Sequence, residues 1–170
     1  QKEGRALDAS NTRLLTAPLG PDAKRWPPSA DHYLDWLEAI VRRQEEIASI
    51  LRRHDVHATF FLANEKTPRG DASLDPSWAP YWKARADEGH AFGSHTWRHG
   101  RLIADEAGGV RYRPQFGDDA GTTVVLSPRA VCDELRRVET AFSAYTGRRL
   151  DAVWRAPGGR TTPKALAAAR

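Results

Sequence analysis

Apolar residues recur at helical spacing through Leu34, Leu37, Ile40, Val41, Ile47, Ile50 and Leu51. This predicts an amphipathic helix that is capped by Ser29 and ends near His54. Val56 to Leu62 is a compact β-branched and aromatic run, read as a strand buried on both faces and central in its sheet. A shorter strand is expected around Ala6-Leu7-Asp8, before a loop containing Pro18, Gly20, Pro21, Pro27 and Pro28. Further on, Ser77 to Glu88 reads as a helix with Trp78 and Trp82 on one face, and Gly89 stops it. Ala91 to His95 reads as a strand. Residues 100–126 carry no clear period, and are expected to be an irregular surface insertion with a hairpin around Val110 to Phe116. Ser127 and Pro128 suit the N-cap and first turn of a third helix, whose buried stripe would be Val131, Leu135, Val138 and Phe142 and whose stop is Gly147. A strand over Leu150 to Trp154 and a helical start over Thr162 to Arg170 follow.

Strands that alternate with helices at this spacing describe repeated βα units and a parallel sheet, so the fold class is α/β. In such sheets, sites form where strands hand over to loops at their C-terminal ends. Asp8, His95, His99 and Arg155 all lie at such ends, and the topology would bring them to one rim.

Composition narrows the chemistry. The 170 residues, 40% hydrophobic and 28% charged, suit one globular domain, 1–170. No run of about 18 apolar residues exists, so no transmembrane segment is expected. Gln1 stands where a leader could have been removed, although a trimmed chain would begin the same way. The expected location is secreted, periplasmic or at the cell envelope. Cys132 is the only cysteine, which excludes an internal disulfide and a thiolate metal cluster. The formal charge of +4 includes basic pairs such as Arg42-Arg43 and Arg136-Arg137, but these sit on helices beside Glu38, Glu45, Glu134 and Glu139. That is a solvated helix face, and nucleic acid is not an expected partner.

Two histidines four apart, one at a strand end and one in the following turn, can direct both imidazoles at one ion if a carboxylate completes the set. Thr96 after His95 excludes the His-Glu-x-x-His protease pattern, and the absence of any His-x-Asp or His-x-Glu argues against a non-haem iron oxygenase. Trp97 and Trp154 can either stack on sugar rings or simply pack. His32, His54, His57 and His90 lack a partner at ligand spacing and are given no role.

Three phrases occur in order: Ala58-Thr59-Phe60-Phe61-Leu62, then Gly93-Ser94-His95-Thr96-Trp97-Arg98-His99, then Trp154-Arg155-Ala156-Pro157-Gly158-Gly159. In content and sequence they resemble the NodB-like polysaccharide deacetylase (carbohydrate esterase) family. The resemblance implies a distorted (β/α) barrel in which His95 and His99 bind a divalent metal and Arg155 and Pro157 line the groove. The ion would be zinc, with cobalt, nickel or iron also suited to these ligand types. The family's first motif, two adjacent aspartates, is matched by Leu7-Asp8-Ala9-Ser10. Asp8 is therefore either the general base or, with a one-residue shift, the third metal ligand.

The implied activity is removal of N-acetyl groups from an acetylated polysaccharide or oligosaccharide. A catalytically inactive relative that binds polysaccharide and a small-amide hydrolase of the same fold are the alternatives. The insertion over 100–126 is expected to set substrate choice. Four strand candidates fall short of the about seven or eight needed to close such a barrel. No residue matches the family's late histidine acid, so the domain is expected to be incomplete at its C-terminus.

Overall fold

The computed structural model describes residues 43–67 and 69–170. The expected strand at Ala6 to Asp8, the proline-rich loop and the start of the first helix lie outside the described residues. Residues Glu46–Arg170 form one compact unit with its own core.

The first helix, α1, continues over 43–53 and stops before His54, as its periodicity predicts. Ala48 is buried, but Ile47 is half exposed, so the buried stripe is narrower than the sequence suggests. β1 (Thr59–Leu62) starts later than expected, leaving Val56 exposed. A 3-10 turn (Pro76–Trp78) and α2 (Ala79–Asp87) cross over to β2 (Ala91–Ser94), which pairs in parallel with β1 from Thr59↔Ala91 to Leu62↔Ser94. Among the described residues β1 pairs with no other strand. Residues 150–154 run alongside β2 in parallel, but only Trp154 forms a ladder bridge, with Ser94. The shortfall has a local cause: the Asp151 side chain accepts from Phe92 N at 2.8 Å, where a strand carbonyl would otherwise sit. Gly93 permits the close approach, since a Cβ there would lie 2.7 Å from Val153 O.

Phe92 anchors the core, stacked on Phe60 at 5.4 Å and packed on Phe142 at 4.5 Å. Phe142 belongs to α3 (Pro128–Thr146), whose Ser127 accepts from Ala130 N and whose Gly147 adopts the left-handed stop that the sequence predicts. Val131, Val138 and Phe142 are buried as expected and Leu135 is half buried. Glu134 is only 5% exposed: its spacing from Val131 and Val138 places it on the buried face, although its charge makes it an unexpected core residue.

The largest correction concerns residues 100–126. They are not an irregular surface insertion but a three-stranded antiparallel sheet, β3 (Arg101–Glu106), β4 (Gly109–Arg113) and β5 (Val124–Leu126), in the order β3-β4-β5. The tight hairpin joins β3 to β4, ahead of the position expected. Leu102, Val110, Tyr112 and Leu126 point inward onto Val131 of α3 and onto Ala165 of α4 (Pro163–Ala168). Arg101, Arg111 and Arg113 alternate outward. A bulge between Leu102 and Ala104 breaks the period of two in β3, which is why alternation does not reveal it.

His90 is 2% exposed, and its unprotonated Nδ1 accepts from Ala58 N at 3.2 Å. Burial holds its pKa below the usual 6.5, against the opposing pull of Glu88. A histidine with a lowered folded pKa supplies stability that is present above pH 6.5 and lost as pH falls from there toward the folded value. Denaturant unfolding at pH 7.5 and pH 5 should therefore show a larger loss for the wild type than for His90→Asn. Asn keeps an acceptor without the titration, and equal losses would remove His90 as the source.

Candidate metal and substrate site

β2 ends by delivering His95 to the rim, and the parallel ladder continues one step into the loops: His95 N donates to Leu62 O (2.7 Å) and Asn64 N to Trp97 O (2.9 Å). Thr96 and His99 hold left-handed backbone angles, φ 66° and 49°, which are costly for non-glycine residues and need surroundings that enforce them. The result brings the two imidazoles together, with ring centroids 4.8 Å apart.

Each ring has an oxygen close to its Nδ1. His95 Nδ1 lies 2.7 Å from the Arg155 carbonyl oxygen, which can only accept, so Nδ1 carries the proton and Nε2 keeps its lone pair. Glu65 Oε1 lies 2.5 Å from His99 Nδ1, a close polar contact without hydrogen-bond geometry. Backing each ring nitrogen with a carbonyl or carboxylate is how metal-ligating histidines are oriented. Burial, reinforced by the nearby charges of His99 and Arg155, holds the pKa of His95 below 6.5 despite the Arg155 hydrogen bond. The neutral, ligating form is thus favoured.

Glu65 is a site residue that the sequence reading missed. It sits three residues past the end of β1, the same strand-end position that pointed to His95, so that rule could have found it. A built loop holds it. Ser73 accepts from Glu65 N at 3.1 Å and donates to Ala63 O at 2.6 Å, while Ser73 N donates to Glu65 O at 2.8 Å. Asp71 gathers Ser77, Thr67 and Trp78 Nε1 beneath the loop. Those hydrogen bonds, Ser77 foremost, lower its carboxyl to about 2.

Behind the histidines, Glu134 clamps the loop. Its Oε1 accepts from Arg98 Nε (2.7 Å), its Oε2 from Arg98 N and the Tyr112 hydroxyl (both 2.9 Å), and its backbone carbonyl from Trp97 N (2.8 Å). The Tyr112 hydroxyl in turn accepts from Gly100 N at 2.9 Å. Arg98 Nη1 reaches both oxygens of Asp119 at 2.8 Å. Burial, with the adjacent Glu134 charge, pushes the Tyr112 pKa up, so the hydroxyl stays a donor. Gly100 is required by space alone: a Cβ there would lie 2.0 Å from Tyr112 Cζ.

The other expected site residues are placed as follows. Asp8 lies outside the described residues. The Arg155 guanidinium is exposed, 5.6 Å above the Phe61 ring, and its visible contribution to the histidines is its carbonyl. Pro157 is fully buried at the start of the 3-10 turn Pro157–Gly159, so it shapes that turn and offers no surface to a ligand. Trp154 is half buried against the Leu102 and Tyr112 cluster. Trp97 has Arg137 over its ring at 4.6 Å and lines a cavity of about 710 Å³ to which neither histidine contributes. Among the described residues no cluster of three His, Cys, Asp or Glu forms a complete metal set, and no helix is long and apolar enough to cross a membrane. The donor set present, two imidazoles side by side, fits two positions of a divalent ion that needs one further carboxylate.

Among solved structures, the chain is similar to a family 4 acetyl xylan esterase from Clostridium thermocellum, in complex with a cobalt ion. That match has 17% identity and a TM-score of 0.53, and covers 74% of this chain and 47% of that one. It is also similar to a CE4 family pseudoenzyme from Bacillus anthracis (21% identity, TM-score 0.48, covering 72% of this chain and 33% of that one). A third is the catalytic domain of a peptidoglycan N-acetylglucosamine deacetylase from Eubacterium rectale (17% identity, TM-score 0.41, 73% and 43%). The chain therefore spans less than half the length of each. The first shows the fold, a NodB-type α/β domain of which this chain covers part. No curated protein matches. The profile of the polysaccharide deacetylase family matches residues 33–170, and the chain belongs to that family.

Proposed function

We propose that this chain carries the metal-binding part of a hydrolase that removes N-acetyl groups from an acetylated carbohydrate. The observation that supports this most is the His95–His99 pair, its rings side by side, with His95 Nδ1 bonded to the Arg155 carbonyl and Glu65 beside His99 Nδ1. His95 and His99 would hold the ion, with Asp8 the proposed third ligand or the base. When bound, a divalent ion such as zinc supplies polarisation of the acetamide carbonyl and acidification of a water. The Arg155 carbonyl would hold the His95 ring in place, and Glu65 stands beside the His99 ring. As base, the Asp8 carboxylate would take a proton of the attacking water and pass it to the nitrogen as the carbon–nitrogen bond breaks, giving acetate and an amine.

A second reading, a non-catalytic glycan-binding relative, is favoured by one observation: Ala9 stands beside Asp8 where the family pattern has a second aspartate. Acetate release from N-acetylglucosamine oligomers separates the two. Release that a chelator abolishes and zinc restores is expected. Asp8→Asn should mainly lower turnover if Asp8 is the base, and mainly release metal if it is a ligand. Sugar binding without acetate release at full metal occupancy would favour the second reading.

A further inference from the structure

Several arginines in this unit pair with carboxylates: Arg98 with Glu134 and Asp119, Arg111 with Glu106, Arg85 with Glu88 and Arg149 with Glu139. Arg101 and Arg113 are different. They stand directly opposite each other on β3 and β4, an arrangement of like charges that destabilises a sheet, and among the described residues neither has a carboxylate partner. Both line a cavity of about 440 Å³ with Pro114, Gln115, Phe116 and Gly121. Arg113 Nε donates to Gly121 O at 2.8 Å, which fixes that guanidinium and leaves its terminal nitrogens available. Arg101 lies two residues past His99, and its Nε is 3.9 Å from where a Gly158 Cβ would project, in the turn that follows Arg155. The cavity thus borders both segments that form the histidine site. Two guanidinium forks, an aromatic ring and an amide are suited to a sugar that bears an oxyanion.

We infer that Arg101 and Arg113 form an anion subsite, and that the glycan this protein takes carries carboxylate or phosphate groups next to the acetylated residue. The inference rests on the reading proposed above and adds the charge of the substrate to it. The unfavourable pairing of like charges across the strands is relieved when the oxyanion lies between them.

Equilibrium binding of three probes tests this on the full chain. They are a tetrasaccharide of alternating N-acetylglucosamine and glucuronate, its neutral methyl ester, and a 6-phosphorylated N-acetylglucosamine oligomer. At low salt at least one charged probe should bind about 10- to 100-fold more tightly than the ester, with the advantage shrinking as salt rises. Which charged probe gains more distinguishes carboxylate from phosphate. In the Arg101→Gln/Arg113→Gln variant the charged probes should fall to the affinity of the ester, and Arg101→Lys/Arg113→Lys should recover part of the loss. Arg129→Gln/Arg136→Gln, which removes the same charge from exposed positions of α3, should keep the full preference. Equal binding of charged and ester probes, or a preference that survives in Arg101→Gln/Arg113→Gln or is lost equally in Arg129→Gln/Arg136→Gln, would overturn the inference. Acetate release from the ester without preference for the charged probes overturns this inference alone, whereas binding of no probe overturns it together with the proposed function.

Discussion

Alanine at His95 or His99 is expected to weaken metal retention by more than about 100-fold. Losing an outer partner of a ligating histidine already costs about 10- to 100-fold, and each substitution removes the ligand itself. Both side chains are only half buried, so the fold should survive and the melting temperature of the metal-free protein should change little. Elemental analysis after dialysis, with acetate release measured in parallel, is the direct check. Glu65→Gln serves as a graded comparison. It keeps the shape beside His99 Nδ1 but removes the charge, so it should lower metal affinity within the 10- to 100-fold range without abolishing it. If the alanine variants hold metal as the wild type does, the ion is bound elsewhere and the site assignment fails.

The second large effect lies behind the site. Glu134→Ala is expected to destabilise the protein by about 3–5 kcal/mol, the usual cost of breaking a buried charge pair, because Arg98 and the Tyr112 hydroxyl lose their acceptor in a dry environment. Gly100→Ala should act on the same clamp from the opposite side, since its Cβ would displace the Tyr112 ring and break the hydroxyl's bond to Gly100 N. Both variants should also lose metal affinity, although neither residue touches the histidine rings, because Thr96 and His99 hold strained backbone angles that this clamp enforces. Thermal unfolding combined with zinc titration reads both consequences. A stable Glu134→Ala protein with full metal affinity would show that the loop holds its shape unaided.

Several features are decided by local chemistry, and the sequence by itself determined them. Ser127, Pro128 and Gly147 bound α3 because cap and stop preferences act within a few residues. The run ending at Leu62 and the strand ending at Ser94 pair in parallel, as βα alternation requires. The His-x-x-x-His spacing brought the two imidazoles side by side on one loop. Tertiary structure alone decided the rest, because the determining contacts join residues far apart in the chain. Glu134 is buried against Arg98, 36 residues away in the loop it holds, and although its spacing puts it on the buried face, nothing local announces the partners that satisfy its charge. Residues 100–126 form a sheet because Leu102, Val110, Tyr112 and Leu126 find Val131 and Ala165 to cover them, while the bulge in β3 hides the alternation. Arg155 meets His95 through a carbonyl, an atom every residue possesses, so side-chain chemistry could not announce that contact. The charge of Arg101 and Arg113 is written in the sequence, but that they face each other across two strands is set by hairpin register, which only the folded sheet fixes.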